Sequence, residues 1–489
     1  MKDGNGETLA AYAHTPGGRL KEIRHGNGIR TGYEYDTDGN LVHLHMEHTD
    51  GEILADLYYS HDLNGNRTLK SGSRIGGEGK ATEHKVSYIY DRMDRLVSET
   101  YQGEETAYVY DLCGNRLKKL DKSGTEEYHY NRKNQLICRF SEKDKTAYCY
   151  DKQGNLLEAA GAEGTAVFSY NAFHQQTAVT MPDGKHLENR YDVEYLRAGM
   201  VENGTVTTFS YHNGELLAES SPDGDTISRY IPGYGVAAGW NREKSDYHYY
   251  HLDEQNSTAY ITGRGGEIEN RYEYDAFGVL KNSMEEFHSR ILYTGQQYDQ
   301  TSGQYYLRAR FYNPVIGRFV QEDEYRGDGL NLYAYCKNNP VVYYDPSGYD
   351  SQYPCKEEMS AGAGESGRET GLKEFDIVPY GKFKDYPGDG LTGHELLQNA
   401  WLEANGKIPK RGAGLSTKNP AIALRENPIH KFISGQQKSL GLNKKNLAGT
   451  SWRKNVLDNI QIMKDAGVPR DKIAELAWQT RKFAIDNGF

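Results

Sequence analysis

Tyr110-Asp111-Leu112-Cys113-Gly114-Asn115-Arg116-Leu117 and Tyr150-Asp151-Lys152-Gln153-Gly154-Asn155-Leu156-Leu157 are two copies of one unit. Around them tyrosines recur at Tyr90, Tyr110, Tyr130, Tyr150, Tyr170, Tyr191 and Tyr211, a step of 20 or 21 residues. Looser copies stand at Tyr33-Glu34-Tyr35-Asp36-Thr37-Asp38-Gly39-Asn40, at Asp62-Leu63-Asn64-Gly65-Asn66-Arg67, and at Tyr272-Glu273-Tyr274-Asp275-Ala276-Phe277-Gly278. A fixed period of this kind marks a repeat architecture. Each unit reads as strand, turn, strand. The Y-x-Y alternation puts two rings on one face. The Gly-Asn pair is expected to supply positive φ for the turn, and an apolar pair such as Leu156-Leu157 starts the return strand. One such hairpin cannot bury its own face, so successive hairpins must pair side by side. A sheet that long must curl or close. The individual tyrosines are read as scaffold.

Working outward, 489 residues exceed one hydrophobic core and require at least two folding units. Forty tyrosines against 13 phenylalanines suit strands that keep one face wet. No apolar run is long enough for a spanning helix. The opening Met1-Lys2-Asp3-Gly4-Asn5 lacks an apolar core, so no cleavable signal is expected; a specialised export route or a longer parent chain would account for that. Five cysteines without a C-x-x-C pair read as free thiols, with neither a disulfide frame nor a zinc knuckle. The net charge of −11 is unevenly spread: residues 350–489 carry 21 basic and 17 acidic side chains, which leaves −15 on 1–349. From Lys407 to Lys454 there are 11 basic residues and one acidic, Glu426. That stretch reads either as solvated loops or as a polyanion-binding surface.

The x-x-Y-D-x-x-G-N unit resembles the YD repeats of Rhs proteins, insecticidal toxin-complex C components and teneurins, over roughly residues 20–349. The resemblance implies an all-β YD-repeat spiral shell, cocoon-like, over 1–280. After Tyr249-Tyr250-His251-Leu252-Asp253 the step breaks down. The following Tyr293-Thr294-Gly295, Gly303-Gln304-Tyr305-Tyr306-Leu307-Arg308-Ala309-Arg310-Phe311-Tyr312, Gly317-Arg318-Phe319 and Asp345-Pro346-Ser347-Gly348 are similar to the Rhs-associated core. That core, over 281–349, closes the shell and implies an aspartyl autoprotease. Asp323 and Asp345 fall on its two aspartate positions, and the bond to be cut is Tyr349–Asp350, with Tyr349 where the family has leucine. Paired carboxylates suit this chemistry because close carboxylates do not both ionise: one keeps a proton as acid while the other activates water. From the residues alone, Asp345 before Pro346 is an ordinary turn starter, and Asp323 suits an ion pair with Arg318 or Arg326.

Residues 350–375 have linker composition, and 376–489 are expected to form a small, mainly α (α+β) effector, with 390–489 mainly helical apart from one short hairpin. Two amphipathic helices are expected from Val456-Leu457, Ile460, Ile462-Met463 and from Ile473, Leu476-Ala477, separated by Gly467-Val468-Pro469. The order His394, Asn419, His430 resembles the HNH/endonuclease VII-like, ββα-metal nucleases. The resemblance implies His394 as general base, Asn419 bracing the hairpin, and His430 as ligand of Mg²⁺ or a similar divalent ion. Gly393 and Ser434 stand where relatives carry further ligands, so Glu395 is the candidate replacement. The ion would stabilise the scissile phosphate while a neutral imidazole takes the proton from water. Lys407, Lys410, Arg411, Lys418, Lys444 and Lys445 would grip the nucleic-acid backbone without reading sequence. Taken singly the histidines are ordinary packed or surface residues, and Asn419 before Pro420 is a turn residue. The family resemblance further implies a cognate immunity protein, an export apparatus, and a bacterial protein exported or held at the cell surface whose effector acts in a target cytoplasm. A metal-independent RNase using His394 and a lysine is the rival activity. A non-enzymatic surface protein is the rival class. A zinc deaminase is disfavoured because Pro354-Cys355 precedes His394 and has no second cysteine after it.

Overall fold

The computed structural model describes residues 1–76, 79–212, 214–324 and 331–352. Beyond them it describes 377–380, 391–394, 396–397, 399–405, 407, 418–425, 431–440, 452–466, 468 and the helical positions 472–473, 476–477, 479–480 and 483–484. The chain divides into two compact units, Met1–Ser360 and Ala361–Phe489.

The first unit is built on a 26-stranded antiparallel sheet running from Ala10–His14 to Leu280–Glu285. Each strand pairs with the next in sequence, so the sheet is one ribbon of hairpins. Its two rims turn differently. On one, the Asp111 backbone N–H donates to the Asn115 carbonyl at 2.9 Å and Gly114 N–H to the Asp111 carbonyl at 3.2 Å. This is a tight turn followed by one left-handed residue, the G1-bulge hairpin. Positive φ falls on Gly114 (78°) and Gly154 (90°) alone. Asn115 and Asn155 do not share it, contrary to expectation. Their side-chain amides instead donate to Asp111 and Asp151 at 2.8 and 2.7 Å. On the other rim, two-residue turns such as Gln102-Gly103 and Asn203-Gly204 carry positive φ at both positions, as type I′ demands.

The tyrosines owe their hydroxyls to the same rim. Tyr90, Tyr130, Tyr191, Tyr211 and Tyr274 donate to the carbonyls of Arg67, Arg116, Gln176, Arg197 and Thr258, at 2.7–3.1 Å. Each acceptor lies five residues past the Asp or Asn of the preceding turn. A ladder bulge at this point, as at Tyr110 opposite Arg116, leaves a carbonyl outside the regular pairing, and the next tyrosine closes it.

Over the described residues from 286 to 349 the backbone is far less regular than the ribbon. A four-stranded sheet, Gln297–Asp299, Gln304–Leu307, Arg310–Asn313 and Arg318–Phe319, is joined by turns and two 3₁₀ turns. Irregular backbone is tolerated because the ribbon supplies its partners. Leu156 N–H donates to the Val320 carbonyl at 2.9 Å and Thr258 N–H to the Leu292 carbonyl at 3.1 Å. The Tyr305 and Tyr312 hydroxyls donate to the Gly278 and Phe277 carbonyls at 2.9 and 2.7 Å. Tyr305, Tyr306, Phe311, Tyr312 and Phe319 share one core with ribbon side chains such as Leu187, Met200 and Ile261. Among the described residues, Cys113, Cys138, Cys149 and Cys336 are not joined in disulfides.

In the second unit a three-stranded antiparallel sheet replaces the expected single hairpin. Pro420–Arg425 is central, flanked by Ile377–Pro379 and Leu391–His394, with Ile377 and His394 both in register with Ile422. Ile377-Val378-Pro379 is too short to show a strand period, which is why the reading missed it. Helices span Asn399–Ala404, Lys431–Ser439 and Trp452–Asp465, and described residues from 472 to 484 are helical. Leu397, Trp401, Ile422, Ile433, Ile462 and Leu476 belong to its core.

Arg197 and Asp299, both fully buried, tie ribbon to closing segment at 2.6 Å. The Arg197 guanidinium also donates to Gln297 Oε1 at 2.9 Å and lies over the Tyr306 ring at 4.5 Å. Asp299→Ala strands that buried charge and is expected to cost about 3–5 kcal/mol in urea unfolding. The double variant Arg197→Met/Asp299→Leu should recover most of the loss.

Candidate functional site

The Asp345-Pro346-Ser347-Gly348 turn is held residue by residue by the hairpin of Gln304–Leu307 and Arg310–Asn313. Arg308 donates to the Pro346 carbonyl and Arg310 Nε to the Gly348 carbonyl. Between them Ala309 N–H donates to the Ser347 carbonyl at 3.1 Å. Gly348 has φ +76°, and a Cβ there would lie 2.5 Å from the Leu307 carbonyl oxygen, so only glycine fits this approach. Past the turn, Tyr344 and Gln352 pair antiparallel, with N–H to carbonyl distances of 2.9 and 2.6 Å. The half-buried Tyr349–Asp350 bond thus lies in a short loop clamped at both ends.

Asp345 Oδ1 caps the turn, accepting from Ser347 N–H at 3.0 Å and Gly348 N–H at 2.7 Å. Its Oδ2 faces Arg310 Nη2 at 3.8 Å. The same nitrogen meets Asp323 Oδ2 at 2.8 Å. Asp323 is positioned by its own N–H, which donates to the Leu332 carbonyl at 3.0 Å, a carbonyl that Arg310 Nη1 also reaches at 3.1 Å. The Phe319 ring packs against the guanidinium at 3.6 Å and shields it from water. All three side chains are buried. The structure therefore brings Asp323 and Asp345 together on one cation.

The cation 2.8 Å from Asp323 is Arg310 rather than the expected Arg318. Arg318 is committed elsewhere: it donates to Asn115 Oδ1 at 3.2 Å and the Asn134 carbonyl at 2.6 Å, over the Tyr130 ring. Arg326 lies outside the described residues. The sequence contains Leu307-Arg308-Ala309-Arg310-Phe311 but nothing in its spacing assigns Arg310 a role; only the fold brings it to two carboxylates. Charge counting gives the arrangement its chemical character. One guanidinium and two carboxylates sum to −1, and a buried set of that kind becomes neutral on taking up one proton.

In the second unit, His394 ends the strand Leu391–His394, opposite Ile422. Asn419 immediately precedes the paired strand Pro420–Arg425 and is fully buried. Its amide donates to the Leu397 carbonyl at 2.6 Å, bracing the chain just past His394. A helix, Asn399–Ala404, lies between the two strands in sequence, so they are not the contiguous hairpin of the ββα reading. Lys407 and Lys418 are exposed. Glu395, His430, Lys410, Arg411, Lys444 and Lys445 fall outside the described residues.

The family described as Teneurin YD-shell matches residues 74–341, more than half the chain. The tRNA nuclease WapA of Bacillus subtilis (strain 168) is 31% identical over 364 residues, 71% of this chain and 15% of WapA. The toxin protein Tse5 of Pseudomonas aeruginosa is 31% identical over 101 residues, 20% of this chain and 8% of Tse5. Among solved structures, the crystal structure of TcdB2-TccC3-TEV superposes with a TM-score of 0.59 at 19% identity, over 70% of this chain and 19% of that one. The chain thus spans 15% of the length of the nuclease it matches.

Replacing Arg310 by leucine leaves two buried carboxylates without their shared cation. An equilibrium unfolding loss of about 3–5 kcal/mol is expected. A loss within 1 kcal/mol of zero would mean, on the same scale, that the contact is not maintained in solution.

Proposed function

The chain belongs to the teneurin YD-shell family, and from that premise we propose that it is the shell-and-effector part of a polymorphic toxin. In this reading, residues 1–349 house an effector and cut it free at Tyr349–Asp350, and residues 376–489 are a nuclease. The observation that supports self-cleavage is the convergence of Asp323 and Asp345 on Arg310, beside a turn whose three carbonyls are each held in place. With one proton taken up, the set is neutral and holds one carboxylate and one carboxylic acid, the two species that peptide hydrolysis requires. Asp323, with the shorter contact to the cation, remains ionised and is the base for water. Asp345, with the looser contact, carries the proton for the departing amine. Arg310 positions the Gly348 carbonyl next to the bond to be cut.

Purified full-length protein is expected to resolve into fragments 1–349 and 350–489, with mass spectrometry reading the new ends. Asp345→Asn and Asp323→Asn should each remain one band on a gel. Unchanged processing in both variants would overturn the assignment.

For the effector, the reading rests on the similarity to a tRNA nuclease together with the basic stretch from Lys407 to Lys454. We assign phosphodiester hydrolysis to it, with His394 as base, Asn419 as brace, and His430 and Glu395 holding a divalent ion; nucleic acid is the substrate and a dedicated immunity protein the protective partner. Expression of residues 350–489 should arrest bacterial growth, and His394→Ala should relieve the arrest. Incubation with tRNA and with plasmid DNA, each with Mg²⁺ and with EDTA, is expected to show cleavage that EDTA abolishes. Cleavage that survives EDTA turns the reading to a metal-independent RNase. No cleavage and no toxicity would remove the nuclease altogether.

A further inference from the structure

One cluster of ligand-type side chains lies in the ribbon, apart from both proposed sites. Along the strand Leu41–Glu47, Leu44 and Met46 are buried in an apolar cluster. The alternating residues His43, His45 and Glu47 therefore project from the opposite face. The next strand, Ile53–His61, places Asp56 in register with His45 and Tyr58 in register with His43. His43, His45 and Asp56 each offer one ligand atom, and these atoms lie within 4.8 Å of one another.

We propose that His43, His45 and Asp56 bind a divalent first-row metal ion of the Zn²⁺ class, clasping the two strands. The inward nitrogens set the spacing. His43 Nε2 and His45 Nδ1 approach Asp56 Oδ1 at 2.6 and 3.0 Å. Imidazole and carboxylate ligands about 2.0–2.2 Å from one Zn²⁺ stand about 3 Å from each other, so small rotations admit an ion. The outward nitrogens are also provided for. His43 Nδ1 faces Glu34 Oε1 at 3.5 Å, and His45 Nε2 meets Glu47 Oε2 at 3.1 Å. Carboxylates on the far ring nitrogens are what orients ligating histidines and raises their basicity. Tyr58 stacks on the His43 ring with centroids 4.3 Å apart and planes at 6°, which restrains that ring. Glu47 is itself held by Arg30. Two imidazoles and one carboxylate favour Zn²⁺, Co²⁺ or Ni²⁺ over Ca²⁺ and Mg²⁺, which prefer all-oxygen sets. The side chains are half-buried, so an ion has access and water can complete its coordination.

The test uses the full chain, stripped with chelator, and Co²⁺ as the probe. One equivalent should produce a visible ligand-field band that Zn²⁺ displaces. His45→Asn and Asp56→Asn should weaken binding by more than 100-fold. Glu47→Gln, which leaves the three ligands intact, should weaken it about 10- to 100-fold. The exposed His129→Asn should leave it unchanged. No band with the unaltered chain, or equal affinity in the His45 and Asp56 variants, overturns the proposal. So does a band that survives His43→Asn and disappears in His430→Ala, because that places the ion in the effector.

Discussion

The structure depends on what one side-chain carboxylate does at a turn. At Asp111 and Asp151, Oδ1 accepts from two backbone N–H groups, two and four residues on, while Oδ2 accepts from the asparagine amide. Hydrogen bonds to a charged group contribute about 1.5–3 kcal/mol each, against about 0.5–1.5 kcal/mol for a neutral pair. Each turn thus sets its own hairpin register, and a ribbon of 26 strands needs no long-range signal to avoid slipping. The substitutions between copies respect this. Where Asn131 and Asn171 replace the aspartate, Gln135 and Gln175 replace the asparagine, so donor and acceptor exchange places. Where Arg95 stands instead, its Nε donates to Asp91 Oδ2 at 2.7 Å. At Asp36, burial opposes ionisation, yet the hydrogen bonds from Asn40 and the turn backbone outweigh it and hold the carboxyl below its usual range. That contribution is present at neutral pH and is lost as pH falls through the depressed value.

A ribbon made this way has an apolar face that it covers only in part by itself, as where Leu44 and Leu57 cluster with Tyr260. The segment after residue 286 supplies the partner, and it is polar where the ribbon's own bulges leave groups to satisfy. Arg197 shows both functions: its carbonyl accepts from Tyr211, while its guanidinium reaches down to Asp299 and Gln297. The rings of Tyr312 and Tyr335 stack at 4.0 Å above this layer. Holding the closing segment so firmly is what allows Arg308, Ala309 and Arg310 to present three consecutive donors to the 346–348 carbonyls.

The ribbon was legible because its information is local. The 20-residue step, the Y-x-Y alternation and the Gly-Asn pair all act within one hairpin. The role of Asn115 was misread because sequence alone does not separate a residue that bends the chain from one that clamps the bend. The closing segment was legible as a motif but not as a structure, since its hydrogen-bond partners sit a hundred or more residues away. Asp323 and Asp345 were singled out by resemblance, and the cation they share, Arg310, was not, because an arginine in Leu307-Arg308-Ala309-Arg310 carries no periodic or spacing signal. In the second unit, Ile377–Pro379 is too short to carry a strand period, and nothing in the sequence around Asn419 indicates that its amide reaches the Leu397 carbonyl.

Asp345 makes the same cap as the repeat aspartates: Oδ1 receives the N–H groups of Ser347 and Gly348 as Asp111 Oδ1 receives those of Cys113 and Asn115. The difference lies in the other oxygen. At Asp111 and Asp151, Oδ2 accepts from an amide four residues on; at Asp345 the turn runs Asp-Pro-Ser-Gly, and Oδ2 faces Arg310 and, across it, Asp323. At Asp345 the turn device directs an oxygen at a cation that a second carboxylate, Asp323, shares. This sharing is what distinguishes Asp345 from Asp111 and Asp151. The residue to examine is not the one with the most hydrogen bonds but the one whose second oxygen shares a buried cation with another carboxylate.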